Sequence, residues 1–331
     1  MEEYPSIPME RTGKIIRRAI YIFLQNYQYF TTTAALLAFP FSASILLSQA
    51  LIPSSSLLSL LHSLLSSLFH AAGFPPSSQL FTILTVKLSQ TTASSILALP
   101  FTLSSLIVAK ASVIQALNHH KPSPPPSFSS FLSLYKPIII TQICNSILIL
   151  AANAACFSLT VFAFNCLECL GFSSPNSILF VSATGAILYS VIIANAIIVC
   201  NLALVSSGME RCGGRVAILK ACALIRGRTG TTLSLSVSVN MAMAAVEALF
   251  QYRVVGAYRH AKNPTSSMAL EGIFIAYLNS IVIVLDTIVS CVFLRSCKTT
   301  CQIDEESKYY YQIEIQKQEA NNLVKFKTSF C

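Results

Sequence analysis

Long apolar blocks, separated by shorter polar or basic stretches, make up most of this chain. Six of the blocks are long enough to cross a hydrocarbon core about 30 Å thick, which takes about 20 helical residues. They recur from one end of the chain to the other, so the pattern predicts one membrane domain. The predicted transmembrane helices cover residues 30–51, 88–109, 138–161, 177–204, 231–250 and 268–294.

The composition agrees with lipid as the main solvent. Of the 331 residues, 54% are hydrophobic and only 11% are charged, whereas about a quarter are charged in soluble globular proteins. We therefore expect an all-α integral membrane bundle of about six transmembrane helices with short interfacial helices. Its expected organisation is a cytoplasmic N-terminal tail with a basic interfacial helix at residues 1–29, the membrane domain at 30–295, and a cytoplasmic C-terminal tail at 296–331.

The basic residues predict the orientation of the spans. With a cytoplasmic N-terminus, 18 of the 22 Lys and Arg residues lie on the cytoplasmic side, as the positive-inside rule expects. Both termini are thus predicted to be cytoplasmic, in a plasma membrane or endomembrane protein. Arg253, Arg259 and Lys262 are the exception, because they follow the fifth segment on the other side. Either that segment does not cross fully, or these residues have acidic partners.

Two further segments have the pattern of helices at a membrane surface. Lys14, Arg17 and Arg18 share one helical face, and apolar residues occupy the opposite one, which is typical of an anchor or of a lipid-binding helix. Residues 57–70 place leucines on one face and Ser and His on the other, so they predict an interfacial helix on the outer side. Residues 299–331 are polar and of mixed charge, and they predict a loosely ordered tail with one short helical or extended stretch.

Polar and acidic residues within the apolar segments are candidates for function. A charge at mid-bilayer costs at least about 2.5 kcal/mol and normally faces the interior of the bundle, pairs or is protonated. A transport hypothesis makes Asp286 and Glu247 proton or cation sites, with amides of the third segment lining the path. A structural hypothesis has the same groups close interhelical hydrogen bonds, with Glu247 or Glu271 neutralising Arg253 or Arg259. The candidate set is Asp286, Glu247, Asn279, Glu271, Gln142, Asn145 and Asn153.

Two other groups of residues suggest contacts at the cytoplasmic surface. The loop after the fourth segment is basic and could face lipid, a partner protein or the bundle itself, through Arg211, Arg215, Lys220, Arg226 and Arg228. Three cysteines at the cytoplasmic end of the sixth segment are candidates for S-palmitoylation, namely Cys291, Cys297 and Cys301.

Sequence signatures of catalysis are missing. The chain has no G-x-S-x-G, H-E-x-x-H or phosphate-binding loop motif, and GRTGTT from Gly227 lacks the lysine of such a loop. Aspartate occurs only at Asp286 and Asp304, which cannot form a paired-aspartate metal site. The chain is therefore predicted not to be an enzyme, with no cofactor, no metal and no nucleic acid as partner, since topology accounts for the net charge of +9.

One part of the chain resembles a known family. The stretch VAILKACALIRGRTG from Val216 and the stretch AAVEALFQYRVVGAYR from Ala244 resemble a plant family of uncharacterised multi-pass membrane proteins. The resemblance implies membrane residence and six spans, and it implies no catalytic residue.

The sequence therefore favours a non-enzymatic multi-pass membrane protein. Its expected partners are the lipid bilayer and other membrane proteins or further copies of this chain. The alternative is a small proton-coupled or ion-coupled transporter or channel that uses intramembrane carboxylates.

Overall fold

Helices account for nearly all of the residues that the computed structural model describes, which are 12–51, 55–71, 79–118, 128–169, 175–210, 212–226, 228–260 and 266–328; none of them is in a β-strand. The predicted all-α class is confirmed. The helices are α1 (Thr12–Gln25), α2 (Tyr27–Thr33), α3 (Phe39–Leu51), α4 (Ser56–Ala71), α5 (Gln79–Phe101), α6 (Ile107–Asn118), α7 (Phe128–Cys169), α8 (Pro175–Glu210), α9 (Arg215–Ile225), α10 (Thr229–Phe250), α11 (Gly256–His260) and α12 (Ser266–Thr328).

Six stretches of these helices are long and apolar enough to cross a membrane. The six predicted segments are confirmed, and each extends beyond the predicted bounds at one end or both. We number them span 1 (Tyr27–Ala50), span 2 (Leu88–Asn118), span 3 (Tyr135–Thr160), span 4 (Ala183–Glu210), span 5 (Thr229–Tyr258) and span 6 (Ser266–Thr300). The protein is thus an integral, multi-pass membrane protein.

Prolines interrupt the α-helical register of spans 1 and 2. The π-helical turn Ala34–Ala38 lies just before Pro40, and the π-helical turn Thr102–Leu106 lies just after Pro100. Proline has no amide hydrogen to complete the α-helical ladder, and a wider turn is one way for a helix to accommodate it. A third π-helical turn, Gln251–Val255 in span 5, contains no proline.

Span 6 is the central helix of the bundle. It contacts spans 1, 2, 4 and 5, and its side chains at Val284, Ile288 and Phe293 are almost fully buried. Near its start, Leu270, Ile273 and Phe274 are exposed. Span 6 is therefore apolar around most of its circumference because its neighbours are other helices on one side and lipid on the other.

Short helices close one end of the bundle. Ile15, Ala19 and Phe23 of α1 and Ala217 and Ala221 of α9 are buried in the same apolar cluster as the end of span 6. The basic residues of α1, which are Lys14, Arg17 and Arg18, are exposed. We call this side, where α1, α9 and the end of span 6 meet, the basic end. The apolar stripe of α1 therefore packs mainly on protein.

The helix α12 does not stop where span 6 ends. It runs as one helix through Thr328, so the prediction of a loosely ordered C-terminal tail is wrong. The mixed charges of this segment are compatible with a solvated helix.

Candidate functional site

Asp286 lies on span 6 and borders a small pocket between spans 4, 5 and 6. The pocket has about 30 Å³ of volume open to the centres of water molecules, which is room for about two waters. Polar side chains from all three spans line it, and these are Asn201, Thr232, Ser236, Asp286 and Ser290. A carboxylate inside the bundle thus faces a small pocket with both polar and apolar walls.

A positive charge lies near this carboxylate. Lys110 of span 2 is 9% exposed and is close enough to Asp286 for electrostatic attraction. It precedes the end of span 2 by eight residues, about 12 Å of helix. The second segment was predicted to end at residue 109, but the helix of span 2 continues through Asn118 and therefore includes Lys110.

Asn279, one of the predicted polar residues, contacts a different span. Its Nδ2 donates a hydrogen bond to Ser42 Oγ over 2.9 Å, and Ser42 Oγ in turn donates to the carbonyl of Ala276 over 2.7 Å. Both side chains are buried. The group therefore joins spans 1 and 6, apart from the Asp286 pocket.

Glu247 is part of another polar group, at the end of the bundle opposite the basic end. Gln49 of span 1 donates a hydrogen bond to the Glu247 carboxylate, and Gln251 donates to Gln49 Oε1 over 2.6 Å. Gln49 was missed by the sequence analysis because it ends an otherwise apolar segment. Within the described side chains, Arg253 makes no ion pair with Glu247 or with the exposed Glu271.

Two amides of span 3 contact span 4. Asn145 Nδ2 donates to the carbonyl of Cys200 over 2.9 Å, and Asn145 Oδ1 is buried with no hydrogen-bond partner among the described residues. Asn153 Oδ1 accepts a hydrogen bond from Tyr189 over 2.8 Å. Gln142 is half-buried on the same span. Asn145 and Asn153 thus join span 3 to span 4 at two levels.

At the basic end, one carboxylate holds three elements together. Glu210, the last residue of span 4, lies 2.6 Å from Lys220 of α9 and 2.6 Å from Lys298 of α12. The hydrogen bond from its ammonium to Glu210 raises the pKa of Lys220 above the usual value, so Lys220 stays protonated. Sequence analysis missed Glu210, whose partners are distant along the chain.

The other predicted basic residues differ in their surroundings. Arg228 donates a hydrogen bond to the carbonyl of Cys297 over 3.0 Å, which fixes the start of span 5 to span 6. Arg215 and Arg226 are exposed, and Arg211 lies outside the described residues. The basic segment is therefore divided between contacts within the bundle and a free surface.

Two of the three cysteines proposed for palmitoylation are inaccessible. Cys291 is 1% exposed and Cys297 is 0% exposed, because both lie on the buried face of span 6. An acyltransferase could not reach either thiol in this fold, which argues against acylation at these two positions. The side chain of Cys301 lies outside the described residues.

The part of the chain that the structure describes contains no cluster of the side chains that bind transition metals. No group of three or more His, Cys, Asp or Glu residues occurs there. The Asp286 pocket offers one carboxylate together with hydroxyl and amide oxygens. Such a set suits a hard, weakly charged ion better than a transition metal.

Comparison with known proteins identifies the family. A family model described as a domain of unknown function, DUF8558, matches residues 10–321. The chain belongs to the DUF8558 family. No curated protein and no solved structure matches it. The DUF8558 match includes α1 and all six spans, so the Asp286 pocket and the basic end both lie within the family domain. The resemblance to a plant family stays a prediction, because the description of DUF8558 states neither organism nor activity.

Proposed function

We propose that this protein is a non-enzymatic membrane protein whose basic end binds the anionic lipid of the cytoplasmic leaflet. The observation that carries the proposal is the exposed face of α9. On this face Val216 is 51% exposed and Leu219 is 68% exposed, while Arg215 and Arg226 are exposed beside them. An apolar face bordered by basic residues is the pattern of a helix that lies in the boundary between headgroups and acyl chains.

Packing of the other face of α9 supports this arrangement. Ala217 and Ala221 are fully buried against the bundle, and the Glu210 carboxylate binds Lys220. The helix is thereby held in one orientation, with its apolar residues directed outward. Lys220 is engaged within the protein, which leaves Arg215 and Arg226 as the basic residues of α9 that can meet lipid phosphates.

The side of the membrane follows from charge. Basic residues concentrate at this end of the bundle, including those of α1 and the end of α12. Since positive residues remain preferentially on the cytoplasmic side, we place the basic end and both termini in the cytoplasm. The inner leaflets of such membranes carry the anionic lipids that attract basic segments.

Tryptophan fluorescence provides a test, because the chain contains no tryptophan. We expect Leu219→Trp, reconstituted in nanodiscs, to be quenched by brominated lipid, and more strongly by brominated phosphatidylserine than by brominated phosphatidylcholine. Each basic residue near an anionic surface contributes about 1 kcal/mol. Adding Arg215→Gln and Arg226→Gln should therefore lower the phosphatidylserine preference by roughly 10- to 30-fold.

A variant at the opposite end of the bundle is the matched control. Arg253→Gln with Arg259→Gln removes the same charge and should leave the quenching of Trp at position 219 unchanged. If neither brominated lipid quenched the fluorescence, protein would cover α9. Equal quenching by both lipids would show contact without recognition of anionic lipid, and either result would refute the proposal.

A second candidate function is proton or ion transport, and a stripe of polar residues on span 5 favours it. Asn240 donates to Ser236 Oγ over 3.1 Å, and Ser236 borders the Asp286 pocket. Spacings of about four and seven residues place further polar side chains on the same side of the helix. The stripe runs from the pocket to the opposite end of the bundle and consists of Thr232, Ser236, Asn240, Glu247 and Gln251.

Water access to Asp286 tests the transport candidate. In a background without the native cysteines, a thiol introduced by Asp286→Cys should react with a small membrane-impermeant reagent from one side of sealed vesicles. The reactive side would identify the open face of the pocket. Protection from both sides would mean that the pocket is closed to water, and transport through it would be excluded.

A further inference from the structure

The pocket beside Asp286 has room for a small occupant. Its volume of about 30 Å³ accommodates about two waters, or one ion with a water. This size suits a small ion, a proton carried by water, or water itself better than a sugar, a nucleotide or an amino acid.

The lining favours a cation. The carboxylate of Asp286 provides one negative charge, and Thr232, Ser236, Ser290 and Asn201 add hydroxyl and amide oxygens from three helices. Oxygen ligands of this kind suit hard cations. Ca²⁺ takes six to eight oxygen ligands and Mg²⁺ keeps several of its waters. That is more than this small pocket with one carboxylate can supply, so the lining matches a monovalent ion.

The hydrogen bonds of the lining leave acceptor sites free. The Thr232 hydroxyl donates its proton to the carbonyl of Arg228 over 2.8 Å, and Ser236 Oγ accepts one proton from Asn240 over 3.1 Å. A hydroxyl oxygen has two lone pairs. Thr232 therefore retains both of its lone pairs and Ser236 retains one, and these can be directed to a bound ion.

Lys110 competes with a bound cation for the carboxylate of Asp286. Its ammonium is attracted to Asp286. A second cation in the pocket would be attracted by the same carboxylate and repelled by the Lys110 ammonium. The carboxylate can be neutralised by Lys110 alone or shared with a bound ion. Removal of the Lys110 charge should therefore strengthen ion binding.

We infer that the pocket between spans 4, 5 and 6 binds one monovalent metal cation of about the size of sodium, with Asp286 as its charged ligand. The inference concerns the same site as the transport candidate but does not require transport. A protein that binds the ion and transports nothing would satisfy the inference and refute the transport candidate. It is independent of lipid binding by α9, which lies outside the pocket.

Thermal unfolding of the purified full-length protein tests the inference, with sodium chloride compared with choline chloride at equal ionic strength. Because a ligand that binds only the folded state stabilises it by mass action, saturating sodium should raise the midpoint of unfolding by about 3–8 °C over choline. Asp286→Asn should abolish this difference. Lys110→Met should lower the half-saturating sodium concentration by roughly tenfold.

Glu271→Gln is the matched control, because Glu271 is an exposed carboxylate on the same helix and its removal should leave the response to sodium intact. The readout is the difference between two salts within one variant, so a change in the basal stability of Asp286→Asn does not affect it. Equal midpoints in sodium and choline for the unmodified protein would overturn the inference. Equal responses of the unmodified protein and Asp286→Asn would overturn it as well.

Discussion

Asp286→Leu should destabilise the folded protein by about 2.5 kcal/mol or more, because it leaves the charge of Lys110 in the membrane interior without its negative partner. Lys110 is 9% exposed and is attracted to Asp286 in the folded state. The two side chains form no direct salt bridge, but removal of the carboxylate leaves the ammonium charged and desolvated. The free energy of unfolding in mixed detergent micelles is the measurement.

The double variant Asp286→Leu with Lys110→Met should recover most of the loss, since apolar side chains of similar size are often as stable in the interior as two buried opposite charges. Glu271→Leu removes an exposed carboxylate of the same helix and should change the free energy of unfolding by less than about 0.5 kcal/mol. If Asp286→Leu were as stable as the unmodified protein, Lys110 would not depend on Asp286, and the electrostatic pairing would be wrong.

Gly214→Ala should cost about 1–3 kcal/mol, because Gly214 adopts a backbone conformation that side chains disfavour. Its φ is +70° and its ψ is −134°, at the turn between span 4 and α9. Its amide also donates a hydrogen bond to Thr141 Oγ1 over 2.9 Å, which holds the turn against span 3. Strain at this turn should loosen α9 together with the Glu210–Lys220 contact, and denaturation in mixed micelles measures the loss.

Gly230→Ala is the control for this glycine. Gly230 lies in the first turn of α10 and has no heavy atom within 4 Å of an added Cβ, so alanine should be neutral or slightly stabilising there. The neighbouring Gly213 lacks such space, because a Cβ would lie 3.0 Å from the backbone of Pro137. If Gly214→Ala and Gly230→Ala had the same small effect, the turn would not need its unusual conformation.

Much of the architecture could be predicted from the chain alone, because each transmembrane helix is a local property. A run of apolar residues long enough for the bilayer must form its backbone hydrogen bonds internally, and a helix does so without neighbours. The six segments depend on this reasoning, and the helices α1 and α4 were predicted from the opposite apolar and polar faces of their sequences. The prediction for the segment from residue 299 was wrong because a polar sequence alone does not distinguish a helix from a loosely ordered tail.

The sites were harder to predict, because they depend on how the helices are rotated and which ones are neighbours. Asp286 and Asn279 are seven residues apart on one helix, yet Asn279 contacts span 1 and Asp286 faces spans 4 and 5. Residue spacing shows that side chains share a face of one helix. It does not show which neighbouring helix that face contacts. Gln49 and Glu210 were missed for the same reason.

The sequence by itself determined that the chain lies in a lipid bilayer, that its fold is all-α, and how many spans it has. These properties follow from the apolar content and length of each segment. Only the tertiary structure decided that Lys110 lies beside Asp286, that Lys220 binds Glu210, and that Cys291 and Cys297 are buried. These contacts join residues far apart in the chain. Their energies depend on distance and burial, which exist only once the helices have packed.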